Sequence, residues 1–221
     1  MPTELADKTV LPVQSDTPLS KGQRTRERIL DIAFDSVIAK GFAATSIEEL
    51  VAEAGITKSG FFYHFKDKTD LAHQMLDRYF AETAEMLDGM ERRARELSDD
   101  PLHAFLIYLK LYAEEMTDIV AGMPGCIVAT ITFQEHSFDR RVQEMNYAGV
   151  INWRSRGKAW LESIVAKYPP RHPVNVDDLA DSLLTLTIGA IAVSKALRDP
   201  PAVGRQAMQF RDYIKLLFAP G

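Results

Sequence analysis

A chain of 221 residues, 46% apolar and 26% charged, has the composition of a globular protein with an ample core, and 26 Lys and Arg against 31 Asp and Glu leave a net charge of -5 at pH 7. A single cysteine, Cys126, excludes an intramolecular disulfide and suits a reducing, cytoplasmic setting. Glu4, Asp7 and Lys8 interrupt any signal-peptide core, and the longest uncharged stretch near the end, 182–194, falls well short of the ~20 apolar residues that span a bilayer, so no membrane partner is expected.

Residues 1–20 hold Pro2, Pro12 and Pro18 with no apolar period, which predicts a flexible arm. From Gln23, the residues Ile29, Leu30, Ala33, Phe34, Val37 and Ile38 recur at helical spacing as far as Gly41. Ser46 and Glu49 form a capping box for a second, short helix that ends at Gly55. Thr57 caps a third through Phe61 and Phe65, and Asp67 a fourth from Lys68 to about Leu97. Asp100 before Pro101 starts the next, and Gly122, Pro124 and Gly125 break the chain after it. Helices over about 126–136, 138–167, 177–197 and 201–218 complete an all-α chain of about nine helices. The expected division is an arm at 1–20, a three-helix domain at 21–68 and a larger helical domain at 69–221.

The segment that carries function is Thr45 to Lys68, TSIEELVAEAGITKSGFFYHFKDK. Two short capped helices meet across Ala54, Gly55, Ile56 and Thr57, the arrangement of a helix-turn-helix whose second helix enters the major groove of DNA. Lys58, Ser59 and Gly60 would then face base edges: a lysine donates to guanine, a serine pairs with several edges, and a glycine lets the backbone come close. Tyr63, His64, Lys66 and Lys68 supply phosphate ligands, whereas Phe61 and Phe65 suit the core.

The run Gly41, Thr45, Ala54-Gly55-Ile56, Phe61 to Phe65 and Lys66-Asp67-Lys68 closely resembles the N-terminal signature of the TetR family of transcriptional regulators, over roughly residues 21–70. That resemblance implies an all-helical homodimer with an N-terminal helix-turn-helix domain and a larger helical ligand-binding and dimerisation domain. It implies base contacts from Lys58, Ser59 and Gly60. It implies backbone contacts from Ser46, Thr57, Phe62, Tyr63, His64 and Lys68, with Thr45 beside them. The partners so implied are a double-stranded DNA operator, a small-molecule effector and a second copy. Two positions depart from the family pattern: Phe62 replaces a customary tyrosine, and Glu48 stands where a base is common. A carboxylate at 48 is either solvated or selects cytosine through its N4 amine.

Net charge does not contradict DNA binding once it is resolved by segment. Residues 21–68 carry eight bases and seven acids, while the arm and the remainder hold the deficit. Lys21, Arg24, Arg26 and Arg28 lie within eight residues, and Lys58, Lys66 and Lys68 within eleven.

Toward the C-terminus, Thr187, Gly189, Ala190, Ala192 and Ser194 are small, among Leu183, Leu184, Leu186, Ile188, Ile191 and Val193. A helix apolar nearly all round is buried on more than one side, which fits a homodimer through the last two helices. The resemblance further implies an effector pocket lined from Phe105, Leu109, Tyr112, Met116, Phe133 and Trp153, although such stripes also serve plain helical packing.

Enzyme chemistry finds no foothold. Asp70 to His73 and Asp100 to His103 are the nearest approaches to a Glu-x-x-His metal pair, each with the shorter acid, so no metal is expected. Gly157-Lys158 lacks a P-loop's flanking residues, no cofactor motif occurs, and Cys126 is a core residue or an electrophile sensor. The expected function is a ligand-responsive DNA-binding regulator, a repressor released from a palindromic operator by a small molecule. Two alternatives stand beside it: a helical ligand- or metal-binding bundle with a purely structural helix-turn-helix, and a DNA-binding activator without inducer.

Overall fold

The computed structural model describes residues 19–122 and 125–218, and among these described residues there are nine α-helices, one 3-10 turn and no strand. They are α1 (Lys21–Lys40), α2 (Ile47–Glu53), α3 (Lys58–His64), α4 (Lys68–Leu97), α5 (Pro101–Gly122), α6 (Ile127–Phe133), α7 (Arg140–Lys167), α8 (Val176–Leu197) and α9 (Ala202–Phe218), with the 3-10 turn at Glu135–Ser137. The expected arm lies outside the described residues as far as 18. Its last residue, Ser20, belongs to the helix instead: its Oγ accepts from the Gln23 amide in a reciprocal capping box.

The described residues divide into two compact units. One takes in those up to Glu82 and those of Gly122–Met145; the other takes in those of Thr83–Ala121 and from Asn146 onward. Helices α4 and α7 thus contribute residues to both, whereas the sequence suggested a break at 68.

In the first unit, α1 buries one apolar stripe, Ile29, Leu30, Ala33, Phe34, Val37 and Ile38. Leu50 of α2, Phe61 of α3 and Leu71, Met75 and Leu76 of α4 are also almost wholly withdrawn from water. Burying a side chain of this size contributes about 1.5–3 kcal/mol, which is why seven-residue helices hold their shape here. Arg78 ties α4 to α1 through Glu27 at 2.9 Å and Asp31 at 2.7 Å. Gly41 ends α1 at φ 87° and ψ 159°, a region open only to glycine, and the Gln134 carboxamide from after α6 lies where a Cβ would stand. Phe42 stacks on Phe138 at 4.7 Å, so the turn after α1 rests on the chain just before α7.

In the second unit, Phe105 and Leu109 of α5 and Leu161 and Ile164 of α7 are fully buried. Trp160 packs on Phe105 at 5.5 Å and carries the Arg95 guanidinium on its face at 3.8 Å. A Cβ on Gly204 would lie 2.7 Å from the Ala113 carbonyl oxygen, so glycine lets α9 cross α5 at close range. Helix α8, capped by Asn175 and closed by Arg198 in the left-handed conformation, runs against α9.

Of the residues expected to line a pocket, Phe105, Leu109, Tyr112 and Met116 are packed core of the second unit. The Tyr112 hydroxyl meets Thr187 at 3.0 Å. Trp153 is half-buried. Phe133 is 82% exposed in the last turn of α6, where the apolar positions Ile127, Val128 and Ile131 take the inward face.

Candidate nucleic-acid interface

Local chemistry shapes the helix-turn-helix. Ser46 caps α2 by accepting from the Glu49 amide at 3.2 Å, and Glu49 returns a carboxylate to the Ser46 amide at 3.1 Å. Helix α2 stops at Ala54, and Gly55 turns the chain at φ 60° with open space about its Cα, so backbone conformation rather than crowding calls for glycine. Thr57 then caps α3, its Oγ1 accepting from the Gly60 amide at 3.1 Å. Arg28 of α1 donates to the Ala54 carbonyl oxygen and clamps the turn from behind.

Helix α3 is oriented by two aromatics. Phe61 and Phe65 are 0% and 1% exposed, and with these as the inward face, Lys58, Ser59, Phe62 and Tyr63 turn out. Tyr63 reaches 82% exposure, with its ring edge-to-face on His64 at 4.9 Å. An aromatic so open on a soluble helix is unusual, and it stands beside Lys58 and Ser59 on a short rigid element. A Cβ on Gly60 would meet only Thr57 Oγ1 at 3.4 Å and Ile56 at 3.7 Å, so nothing inside the fold requires glycine there.

Several residues expected at the interface have other tasks. Thr45 is 1% exposed, and its hydroxyl donates to the Gly41 carbonyl oxygen at 3.0 Å and lies 3.1 Å from Ser36, so it braces the turn after α1. Ser46 donates its hydroxyl proton to Glu49 while accepting from the backbone, so both of its functions are engaged. Thr57 uses its hydroxyl as acceptor, which leaves the proton for a phosphate. Lys68 donates to the Phe42 carbonyl oxygen and lies over the Phe42 ring at 4.2 Å; burial pushes its pKa down from the ordinary lysine value. It is a half-buried brace more than an outward cation. Arg26 likewise bonds Gln74 and Glu27, whereas Lys21 and Lys66 are exposed.

Sequence patterns did not suggest the Arg28 clamp, the Lys68 brace or the Gln134 contact, because each joins residues distant along the chain. One further contact changes the picture of Glu48: its Oε1 lies 2.7 Å from Lys58 Nζ, across the gap between α2 and α3, and this hydrogen bond from the lysine holds the Glu48 carboxyl below its usual range.

Among the described residues no group of three or more His, Cys, Asp or Glu could hold a metal ion, and no single helix is long and apolar enough to cross a membrane. Cys126 sits before α6 with its thiol pKa pushed up by burial, the reverse of an activated thiolate.

Fold and site together define an all-helical helix-turn-helix protein with an outward-facing second helix of Lys, Ser and Tyr. Residues 29–75 match the family described as bacterial regulatory proteins, tetR family. Over 51 residues the chain is 41% identical to the HTH-type transcriptional regulator AcrR of Shigella flexneri, covering 23% of this chain and 24% of that protein. Over 78 residues it is 36% identical to an uncharacterized HTH-type transcriptional regulator of Haemophilus influenzae, covering 35% of this chain and 36% of that one. The chain therefore spans about a quarter to a third of the length of these curated relatives. A solved TetR-family transcriptional regulator from Agrobacterium tumefaciens superposes with a TM-score of 0.74 at 20% identity, covering 90% of this chain and 100% of that one, a likeness of fold. The family match is confined to residues 29–75, and the rest of the chain shares with the solved regulator a likeness of fold.

Proposed function

We propose that the protein is a homodimeric, ligand-responsive transcriptional repressor of the cytoplasm that binds a palindromic DNA operator through α3 and leaves it when a small molecule occupies the larger helical domain. The observation that carries this is the outward face of α3. Lys58, Ser59 and the 82% exposed Tyr63 stand on a helix held from behind by Phe61 and Phe65, and Gly60 offers a backbone that DNA can approach. In this assignment Lys58 and Ser59 meet base edges, and Thr57, Phe62, Tyr63, His64 and Lys66 line the phosphates.

Support for a second copy comes from α8 and α9. Val193, Leu197 and Leu216 are 50%, 66% and 70% exposed, and a groove lined by Leu186, Gly189, Ala190 and Val193, with Asp178, Asp181, Ser182, Thr185 and Gln206 also on its walls, runs along the same helices. An isologous contact there would cover this apolar surface and bring two copies of α3 into one dimer. An effector that favours one spacing of those helices shifts the equilibrium only by its differential affinity for the two states. Phe105, Tyr112 and Met116 remain the residues to test first for a pocket.

The experiment is selection of bound sequences from a random duplex pool with the full chain, with and without a metabolite extract. A palindromic winner supports the dimer, and its loss in the presence of extract supports induction. No retained duplex at low salt sinks the reading. A palindrome indifferent to every extract leaves a constitutive regulator or activator in its place.

A further inference from the structure

Glu48 is the residue of the helix-turn-helix that does not suit a DNA face, because a carboxylate there meets the repulsion of the phosphates. Its geometry removes the difficulty. Glu48 Oε1 and Lys58 Nζ lie 2.7 Å apart, the two side chains are 68% and 60% exposed, and they bridge α2 to α3 beside Ser59. The couple is neutral as a whole, so it neither seeks nor repels phosphate, yet it keeps a donor and an acceptor side by side. Glu49, the neighbouring acid, has no such freedom: Lys40, the Ser46 amide and the Ser46 hydroxyl already use its carboxylate.

We propose that Glu48 and Lys58 act together as one reading element for a G·C base pair in the major groove, an inference that rests on the DNA-binding function proposed above. After donating one proton to Glu48, the lysine ammonium retains two, which match guanine O6 and N7. The carboxylate retains lone pairs, which match the cytosine N4 amine. Within a G·C pair, O6 and N4 are joined by a hydrogen bond of about 2.9 Å, close to the separation of the two protein atoms. The groove edge of G·C runs acceptor, acceptor, donor, in the order a paired lysine and glutamate complement. An A·T pair runs acceptor, donor, acceptor and ends in a methyl group, so the couple meets it with one contact fewer.

The full chain and three variants, Glu48→Ala, Lys58→Ala and the double substitution, are each used to select from the same random duplex pool. For the unaltered chain the winner carries one G·C pair per half-site at a fixed place. Glu48→Ala and Lys58→Ala each lower the preference at that one position, roughly 5- to 100-fold, and leave the others in place. The double variant loses no more than either, because the two act as a unit. Glu48→Gln moves the position toward A·T, since a carboxamide pairs with adenine. Far-UV circular dichroism confirms that these exposed substitutions leave the helices intact. A Glu48→Ala profile unchanged at every position overturns the inference, and so does uniformly tighter binding to all duplexes, which would make Glu48 a repelling charge and nothing more. In either case the DNA-binding function stands. A chain that selects no sequence at low salt overturns that function and this inference with it.

Discussion

Replacing Gly41 with alanine tests how the turn after α1 is held. The backbone at φ 87° and ψ 159° lies where an L side chain is strained by about 1–3 kcal/mol. A Cβ there also meets the Gln134 carboxamide, whose Cδ would stand 3.0 Å away. That group is the end of a flexible side chain, so moving it off its rotamer costs only about 0.5–1.5 kcal/mol. The backbone contribution is therefore the larger one. Gly41→Ala is expected to destabilise the first unit by about 2–4 kcal/mol, and adding Gln134→Ala recovers no more than the rotamer share. Both tryptophans, Trp153 and Trp160, lie in the second unit, so their fluorescence is the wrong probe. Amide hydrogen exchange across α1 and α2, with urea unfolding followed by circular dichroism, reads the unit concerned. A Gly41→Ala loss below about 0.5 kcal/mol refutes the strain, and full recovery by Gln134→Ala shows that crowding alone was responsible.

Two further outcomes are expected. Asp35 has its carboxyl pKa raised, first by burial and then by the charges of Asp31 and Glu53, and its Oδ1 has no hydrogen-bond partner among the described residues. A native carboxyl that holds its proton more tightly than the unfolded one stabilises the fold at low pH and loses that contribution as pH rises through its raised pKa. Asp35→Asn should raise the urea midpoint at pH 7 and lose its advantage as pH falls below that pKa; a gain independent of pH removes the titration from the account. Lys66→Ala and Lys68→Ala should also part company. The first lowers the salt dependence of duplex binding with stability within about 0.5 kcal/mol, whereas the second, by uncoupling Phe42, lowers the unfolding midpoint as well. Equal stability of the two variants contradicts the bracing role of Lys68.

What the sequence could disclose was set by the range of the interactions. Ser46 with Glu49, Thr57 with Gly60 and Gly55 in a left-handed turn act within a few residues, and the capped helix-turn-helix was legible from them. Helix α1 was legible because its buried stripe repeats with the helical period. Lys68 and Thr45 were placed at the DNA face by the family resemblance. Their actual partners, Phe42, Gly41 and Ser36, depend on how α1 is packed, which no cap or period records. The exposure of Phe133 was hidden for a similar reason, since the inward face of α6 is set by its packing. Glu48 was legible as a departure but not as a partner of Lys58, for the two are ten residues apart across a turn.

The seating of α3 has a consequence for how such a protein can change. Phe61 and Phe65 carry the attachment of the helix, while Ser59 and Tyr63 add almost nothing to the core. Substitutions at these two outer positions should leave the scaffold within about 0.5 kcal/mol of its starting stability. Under the function proposed above, a lineage can thus alter the base contact at Ser59 and the phosphate contact at Tyr63 without passing through an unfolded intermediate, and the address drifts more freely than the body that carries it.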